Sequence, residues 1–194
     1  MNAYIGRPIS VAFVGGDVGQ WRIDSIRSVA GDSLPDAKRL AVFEQNLENV
    51  STGSAWILRG STSNARYTFQ KEAEALSEAQ EGLGRPQATC AALIPVRKSS
   101  AWWSLAQDQR RSIFEDQSHH IRIGLEYLPG VSRRLHHGRE LGEPFDFLTW
   151  FEYSPEDSEA FENLVARLRQ TTEWGFVDRE VDVRLSRTSR PQLS

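Results

Sequence analysis

The order of secondary structure predicted for the second half of the chain is the feature that most limits its fold. From residue 89 onward the order is strand, helix, strand, strand, helix, strand. The predicted segments are Thr89–Lys98, Trp102–Leu125, Val131–His137, Phe145–Tyr153, Pro155–Gln170 and Phe176–Leu185. This is the order of the split βαβ, ferredoxin-like unit, which forms an antiparallel sheet with helices on one face.

The first half of the chain predicts a reduced copy of the same plan. A hairpin is expected from Pro8–Val14 and Trp21–Val29, because the GGDVG turn between them lacks the GxGxxG spacing of a phosphate loop. Other segments are a strand at Ala55–Arg59, a helix at Phe69–Gln80 and a linker at Glu81–Ala88, while Ala37–Leu47 is compatible with helix or strand. We therefore predict an α+β protein with domains at residues 1–88 and 89–194.

Composition excludes several classes of protein. Hydrophobic residues are 39% of the chain and charged residues 25%, which is typical of globular proteins, and a net charge of −3 without a basic stripe argues against a nucleic-acid binder. The chain begins without a signal-peptide pattern and has no apolar run of membrane-spanning length, so a cytoplasmic location is expected. Cys90 is the only cysteine, which excludes an internal disulfide and a thiolate zinc cluster. Six tryptophans and nine phenylalanines could line a large flat ligand.

The candidate site lies in the stretch SHHIRIGLEYLPGVSRRLHHGRE, residues 118–140, which holds all four histidines and a tandem arginine. Helical spacing from a capping box at Ser104 and Gln107 turns His120 inward and His119 toward solvent. Strand alternation after Leu128-Pro129-Gly130 puts Arg133 and Arg134 on opposite faces. An inward histidine on a helix is more often a hydrogen-bonded core residue than a ligand, and a strand arginine is more often ion-paired, so pattern alone leaves both roles open.

Several segments together resemble the chlorite dismutase family, in its short-chain dimeric branch. The resemblance covers roughly residues 55–194 and is densest from Cys90 onward. The segments that carry it are RGSTSNARYT, CAALIPVRKSSAWW, SHHIRIGLEYLPGVSRRLHH, LGEPFDFLTWFEYSPED and TTEWGFVDREVDVRL. It implies a pair of ferredoxin-like units, of the dimeric α/β-barrel type, around one non-covalent haem b, and a homodimer.

The resemblance also implies a role for individual residues. His120 corresponds to the proximal haem ligand, Arg133 to the distal catalytic arginine and Glu173 to the carboxylate that accepts a hydrogen bond from the ligand. In the distal pocket it implies Gln80 and Leu128. Near the haem propionates and edge it implies Asn64, Tyr67, Lys98 and Trp102.

The implied reaction decomposes chlorite to chloride and dioxygen through ferryl haem and hypochlorite. A carboxylate on the ligand imidazole makes it more electron-rich, and an arginine keeps its charge when it is desolvated beside a small anion. Two rivals remain: a coprohaem decarboxylase-like or peroxidase-like haem enzyme, and a haem-binding protein without turnover. The decarboxylases of the superfamily lack the distal arginine, so Arg133 favours chlorite chemistry.

Overall fold

The structure, a computed structural model, describes residues 8–45, 53–62, 71–72, 78–79 and 81–188. Eight strands form a closed antiparallel barrel. The strands are β1 (Ser10–Gly16), β2 (Trp21–Ala30), β3 (Arg39–Glu44), β4 (Trp56–Ser61), β5 (Cys90–Lys98), β6 (Ser132–His137), β7 (Phe147–Tyr153) and β8 (Val177–Ser186). The α-helices bounded within the described ranges are α1 (Ser100–Ser104), α2 (Gln107–Arg111), α3 (His120–Leu125) and α4 (Ser158–Arg169).

The two halves of the chain contribute four neighbouring strands each, in the same spatial order. Around the barrel the order is β1-β3-β2-β8-β5-β7-β6-β4. Within either half, the fourth strand neighbours the first, then come the third and the second, which is the order of a ferredoxin-like sheet. The barrel closes where β2 pairs with β8 and β4 pairs with β6.

The predicted element order of the second half is confirmed, and the strand ends differ from the prediction by two residues at most. Strand β5 shows why its sequence is almost continuously apolar. Ala91 and Leu93 face the barrel interior, whereas Ala92, Ile94 and Val96 face the helices. Both faces of the strand are therefore buried. Helix α4 covers the outer face with the four apolar residues that its periodicity predicts, Phe161, Leu164, Val165 and Leu168.

The predicted hairpin between the first two strands is wrong. Strand β1 pairs with β3 and β4, and β3 lies between β1 and β2, so that Leu40 is opposite both Gly15 and Trp21. The turn passes so close to β3 that a Cβ on Gly19 would lie 2.3 Å from the Leu40 carbonyl oxygen. The glycine-rich turn is therefore a tight crossing over β3, and the ambiguous run at residues 37–47 contains a strand.

Part of the first half lies outside the described residues. In the helix predicted at Phe69–Gln80, residues 71–72 and 78–79 are described and helical. Residues 81–88 carry no regular element, as the predicted linker requires. Among the helices that the structure describes, none combines the length and the apolar character needed to cross a membrane.

Candidate functional site

A broken helical arm connects β5 to β6 and carries the candidate ligand. The single helix predicted at Trp102–Leu125 is wrong, because the arm divides into α1, α2, a π-helical segment at Ser112–Gln117 and α3. The predicted capping box is also wrong, since the Ser104 hydroxyl donates to the Ser100 carbonyl oxygen at 3.0 Å. Ser99 instead caps α1 by accepting a hydrogen bond from the Trp102 amide at 3.3 Å.

Helix α3 begins at His120 because the chain turns sharply at the preceding residue. His119 adopts a left-handed conformation with φ of 53°. The Glu115 carboxylate accepts hydrogen bonds from the amides of Ile121 at 2.7 Å and Arg122 at 3.3 Å. These amides belong to the first helical turn, which has no partners within its own helix. The turn and the cap together fix the direction in which His120 leaves the backbone.

The imidazole of His120 is held on one nitrogen and along one face. Its Nδ1 lies 2.7 Å from Glu173 Oε2, and its ring stacks on Phe114 with 4.5 Å between centroids. The side chain is 24% exposed, in contrast to 6% for Glu173. A neutral imidazole that donates from Nδ1 keeps the lone pair of Nε2 for another partner. This is the arrangement in which proteins present histidine to a metal.

Glu173 is a buried carboxylate with donors on both oxygens. Its Oε1 accepts a hydrogen bond from Lys98 Nζ at 2.7 Å, while its own amide donates to Ser118 Oγ at 2.9 Å. Burial on its own raises the pKa of Glu173, but electrostatic attraction to the His120 ring and the Lys98 ammonium, together with their hydrogen bonds, lowers it to about 2. The carboxylate is therefore ionised at neutral pH.

Lys98 ends strand β5 beneath two indole rings. Its ammonium lies 4.9 Å from the centroid of Trp102 and 5.6 Å from that of Trp174. Its amide donates to Asp146 Oδ2 at 2.7 Å. The ion pair with Glu173 is a contact that the sequence did not predict, because the two residues are 75 positions apart. No local pattern could have revealed it.

The tandem arginines lie on opposite faces of β6, as strand alternation predicts. The Arg134 guanidinium pairs with Glu44 at 2.5 Å, on the N-terminal half of the barrel. The Arg133 guanidinium lies against Gly124 of α3, where a Cβ would come within 2.1 Å of Nη1. Since Gly124 is one helical turn beyond His120, Arg133 and the candidate ligand are brought to the same helix.

Comparison with known proteins decides the family. A family model described as chlorite dismutase matches residues 33–189, which is more than half of the chain.

The chain belongs to the chlorite dismutase family.

A dimeric chlorite dismutase from Nitrobacter winogradskyi has a crystal structure with 54% identity and a TM-score of 0.84, and the match covers 91% of this chain and 99% of that one. Chlorite dismutase from Candidatus Nitrospira defluvii, solved with imidazole, shares the fold at 20% identity and a TM-score of 0.65, covering 92% and 91% of the two chains. A curated chlorite dismutase from Ideonella dechloratans is 36% identical over 81 residues, which is 42% of this chain and only 26% of that protein.

The chlorite dismutase family depends on haem, and the described residues fit this group. A single imidazole, fixed on Nδ1 by an ionised carboxylate and partly exposed, would be a suitable ligand for haem iron. Trp102 is 1% exposed and packs beside Lys98, while Leu128 is half-buried after α3. Asn64, Tyr67 and Gln80 lie outside the described residues.

Proposed function

We propose that this protein is a haem enzyme that decomposes chlorite to chloride and dioxygen, a chlorite dismutase in activity as well as in family. The observation that carries the proposal is the position of Arg133. One arginine of the tandem pair is directed away to Glu44, whereas the other rests on the helix that presents the candidate iron ligand. A protein that only binds haem, and does not act on a small anion, has no need of an arginine guanidinium beside the helix that carries the iron ligand.

The cofactor in this proposal is haem b, bound without a covalent link and held by His120. The sequence contains no CxxCH for covalent attachment, since Cys90 is the only cysteine. When bound, the haem would supply the iron at which chlorite is decomposed. His120 would hold that iron, and Glu173 would keep its imidazole electron-rich through the 2.7 Å contact to Nδ1. Lys98 in turn holds Glu173 in place.

Arg133 binds the anions of the reaction. Its guanidinium stays charged when desolvated, so it attracts chlorite and then retains hypochlorite until chloride and dioxygen are formed. By family resemblance, Gln80 and Leu128 complete the distal pocket. The same resemblance assigns Asn64, Tyr67, Lys98 and Trp102 to the propionates and edge of the haem.

The assembly in this proposal is a homodimer, and each subunit comprises two ferredoxin-like units that meet near residue 88. The Nitrobacter winogradskyi protein, at 54% identity, is described as dimeric. The shared strand order of the two halves supports the two units, and the four-residue crossing between β1 and β2 makes the first one the reduced unit. A cytoplasmic location stays a prediction.

The two arginines provide the test of the proposed function. Arg133→Ala should lower kcat/KM for chlorite roughly 100-fold, because it removes a charge that the reacting anion contacts. It should also release hypochlorite, which an added chlorinatable dye traps, and the Soret band should bleach after fewer turnovers. Arg133→Lys should keep part of the activity, because a point charge replaces a planar fork.

Arg134→Ala is the matched control. The Arg134 and Glu44 side chains are 30% and 50% exposed, and an ion pair of that kind contributes under about 1 kcal/mol. Its kcat/KM should stay within about twofold of the parent protein. Equal losses from the two substitutions would contradict the proposal, as would dioxygen release by Arg133→Ala at the parent rate without faster bleaching.

A further inference from the structure

Gly124 occupies a position where helix formation alone gives no reason for glycine. It lies within α3, between residues that are themselves helical, and it is buried. Its φ is not among the positive values that favour glycine. Alanine is the more favourable residue in a helix interior, because glycine loses more backbone entropy on folding. Another feature of the structure must account for the missing side chain.

That feature is the guanidinium of Arg133. The three atoms nearest to a Cβ built on Gly124 are Nη1 at 2.1 Å, Nη2 at 2.6 Å and Cζ at 2.7 Å, all from Arg133. Real Cβ atoms do not approach other heavy atoms so closely. The planar group therefore rests directly on the backbone of α3.

We infer that Gly124 is a positioning residue, which sets the place of the Arg133 guanidinium relative to His120. Gly124 and His120 are four residues apart on α3, so they lie on the same helical face and about 6 Å apart along the axis. Glu173 fixes the imidazole at one end of this face, and Gly124 leaves room for the guanidinium at the other. This inference rests on the proposed role of Arg133 as the group that binds the reacting anion.

An alanine at position 124 should move the arginine and leave the fold intact. The atoms that its Cβ would meet are at the far end of a flexible side chain, which swings away at small cost. A displacement of about 1 Å can reduce a rate roughly 100-fold when a positioned group contacts the reacting atoms. The effect of Gly124→Ala should therefore appear in catalysis and in its coupling to Arg133.

The experiment is a double-mutant cycle of Gly124→Ala and Arg133→Ala. Gly124→Ala alone should lower kcat/KM for chlorite at least about tenfold and increase the yield of trapped hypochlorite. In the Arg133→Ala background it should change kcat/KM by less than about twofold, because no guanidinium remains to be displaced. Gly82→Ala is the control, since a Cβ on Gly82 meets nothing within 4 Å.

A second arm uses the cofactor-free protein and does not depend on activity. In the Arg133→Ala background, Gly124→Ala should raise the Tm by about 2–4 °C through helix propensity. In the parent background the gain should be smaller, because the new methyl group must push the guanidinium away. An equal Tm gain in both backgrounds, or an unchanged kcat/KM for Gly124→Ala beside a damaged Arg133→Ala, would overturn the inference. Full activity of Arg133→Ala would instead refute the proposed function, and the Tm cycle would still decide the contact.

Discussion

Two clusters of buried charge lie in the same half of the molecule, yet they differ in whether every polar group is satisfied. The first, the site cluster, consists of His120, Glu173 and Lys98. The second, the strand cluster, lies where α4 covers β8 and contains Glu180 and Asp182, which are both 0% exposed. Trp174 links the clusters, because it donates to Glu180 Oε2 at 3.1 Å while its ring lies near Lys98.

The strand cluster is closed. Arg169 donates to Glu180 Oε1 at 2.9 and 2.6 Å and to Asp182 Oδ2 at 2.8 Å, and Arg184 donates to both oxygens of Asp182. Burial raises the pKa of Glu180, whereas the two arginines outweigh burial at Asp182 and lower its pKa. The two carboxylates, Glu180 and Asp182, therefore both pair with arginines of the cluster, Arg169 and Arg184.

The site cluster is open at one end. Glu173 is satisfied by Lys98 and His120, but the imidazole that completes the chain of contacts is 24% exposed and offers Nε2 to a further group. Burial and paired charge are common to both clusters and do not by themselves distinguish a functional site. The open coordination position is what separates a site from a structural ion-pair network.

The largest expected effect is the loss of haem when His120, the exposed end of the site cluster, is removed. His120→Ala should abolish most of the Soret absorbance of purified protein, because the iron loses its ligand. The Tm of the cofactor-free protein should fall moderately, because the buried Glu173 loses one of its two partners but keeps Lys98. His119→Ala, one residue earlier, should keep its haem spectrum. Haem loss from His119→Ala with retention by His120→Ala would reverse the ligand assignment.

Breaking the strand cluster should lower the stability of the protein and leave its haem binding unchanged. Arg169→Met should lower the free energy of unfolding by about 3–5 kcal/mol, because Glu180 and Asp182 stay buried with half of their compensating charge removed. Haem bound per folded molecule should stay at the parent level. The control is Arg167→Met on the same helix, whose pair with Glu126 is exposed to solvent, so the free energy of unfolding should stay nearly unchanged. Denaturant titration with haem quantification would show whether the two properties separate.

His136 is a buried titratable group without an opposite charge beside it among the described residues, and it should make the stability of the protein depend on pH. His136 is 2% exposed, and burial lowers its pKa from 6.5 to about 4, although a hydrogen bond to Leu148 opposes the shift. Below pH 6.5 the imidazole of His136 binds a proton in the unfolded chain but not in the folded protein. The free energy of unfolding is therefore highest above pH 6.5 and falls as the pH is lowered from 6.5 to about 4. The loss approaches roughly 3 kcal/mol.

The test of this pH dependence is a comparison with His136→Phe, which keeps a ring of similar size and cannot bind a proton. Denaturant unfolding at a series of pH values should give a shallower profile for the variant between pH 6.5 and 4. Parallel profiles would show that His136 does not carry the pH dependence.

The smallest effect is expected from altering the carboxylate between the two ends of the site cluster. Glu173→Gln should weaken haem binding about 10- to 100-fold and raise the reduction potential of the iron, because the imidazole loses its anionic partner. Spectroelectrochemistry and haem transfer to apomyoglobin would measure the two effects. Glu162→Gln is a suitable control, because that carboxylate bonds Arg184 at the surface. An unchanged potential would remove Glu173 from the electronic control of the ligand.

Sequence alone predicts the second half of the fold well because its apolar patterns agree with its element order. Helix α4 is one example, with Pro155 before it and its buried face spaced by three and four residues. The opposite directions of Arg133 and Arg134 follow from strand alternation in the same way. These are local properties, and each can be read within about ten residues.

The errors have nonlocal or conformational causes. The left-handed residue His119 and the π-helical segment before it interrupt a pattern that is otherwise helical, and propensity does not register either feature. The crossing at Gly19 was mistaken for a hairpin because only the position of β3 distinguishes them. The ion pair of Glu173 with Lys98, which was not predicted, joins residues 75 positions apart. Only the folded chain brings them together.

The two junctions that close the barrel have very different lengths. Strands β2 and β8 are paired over seven residue pairs, whereas β4 and β6 meet through Ser61 and His137 alone among the described residues. A barrel joined so unevenly should open first at its short junction, because separating one residue pair costs far less than separating seven. Amide protons along β8 should then exchange with solvent only through global unfolding, while those at the β4–β6 junction exchange through local opening. The barrel should therefore open at the β4–β6 junction while the β2–β8 junction stays paired.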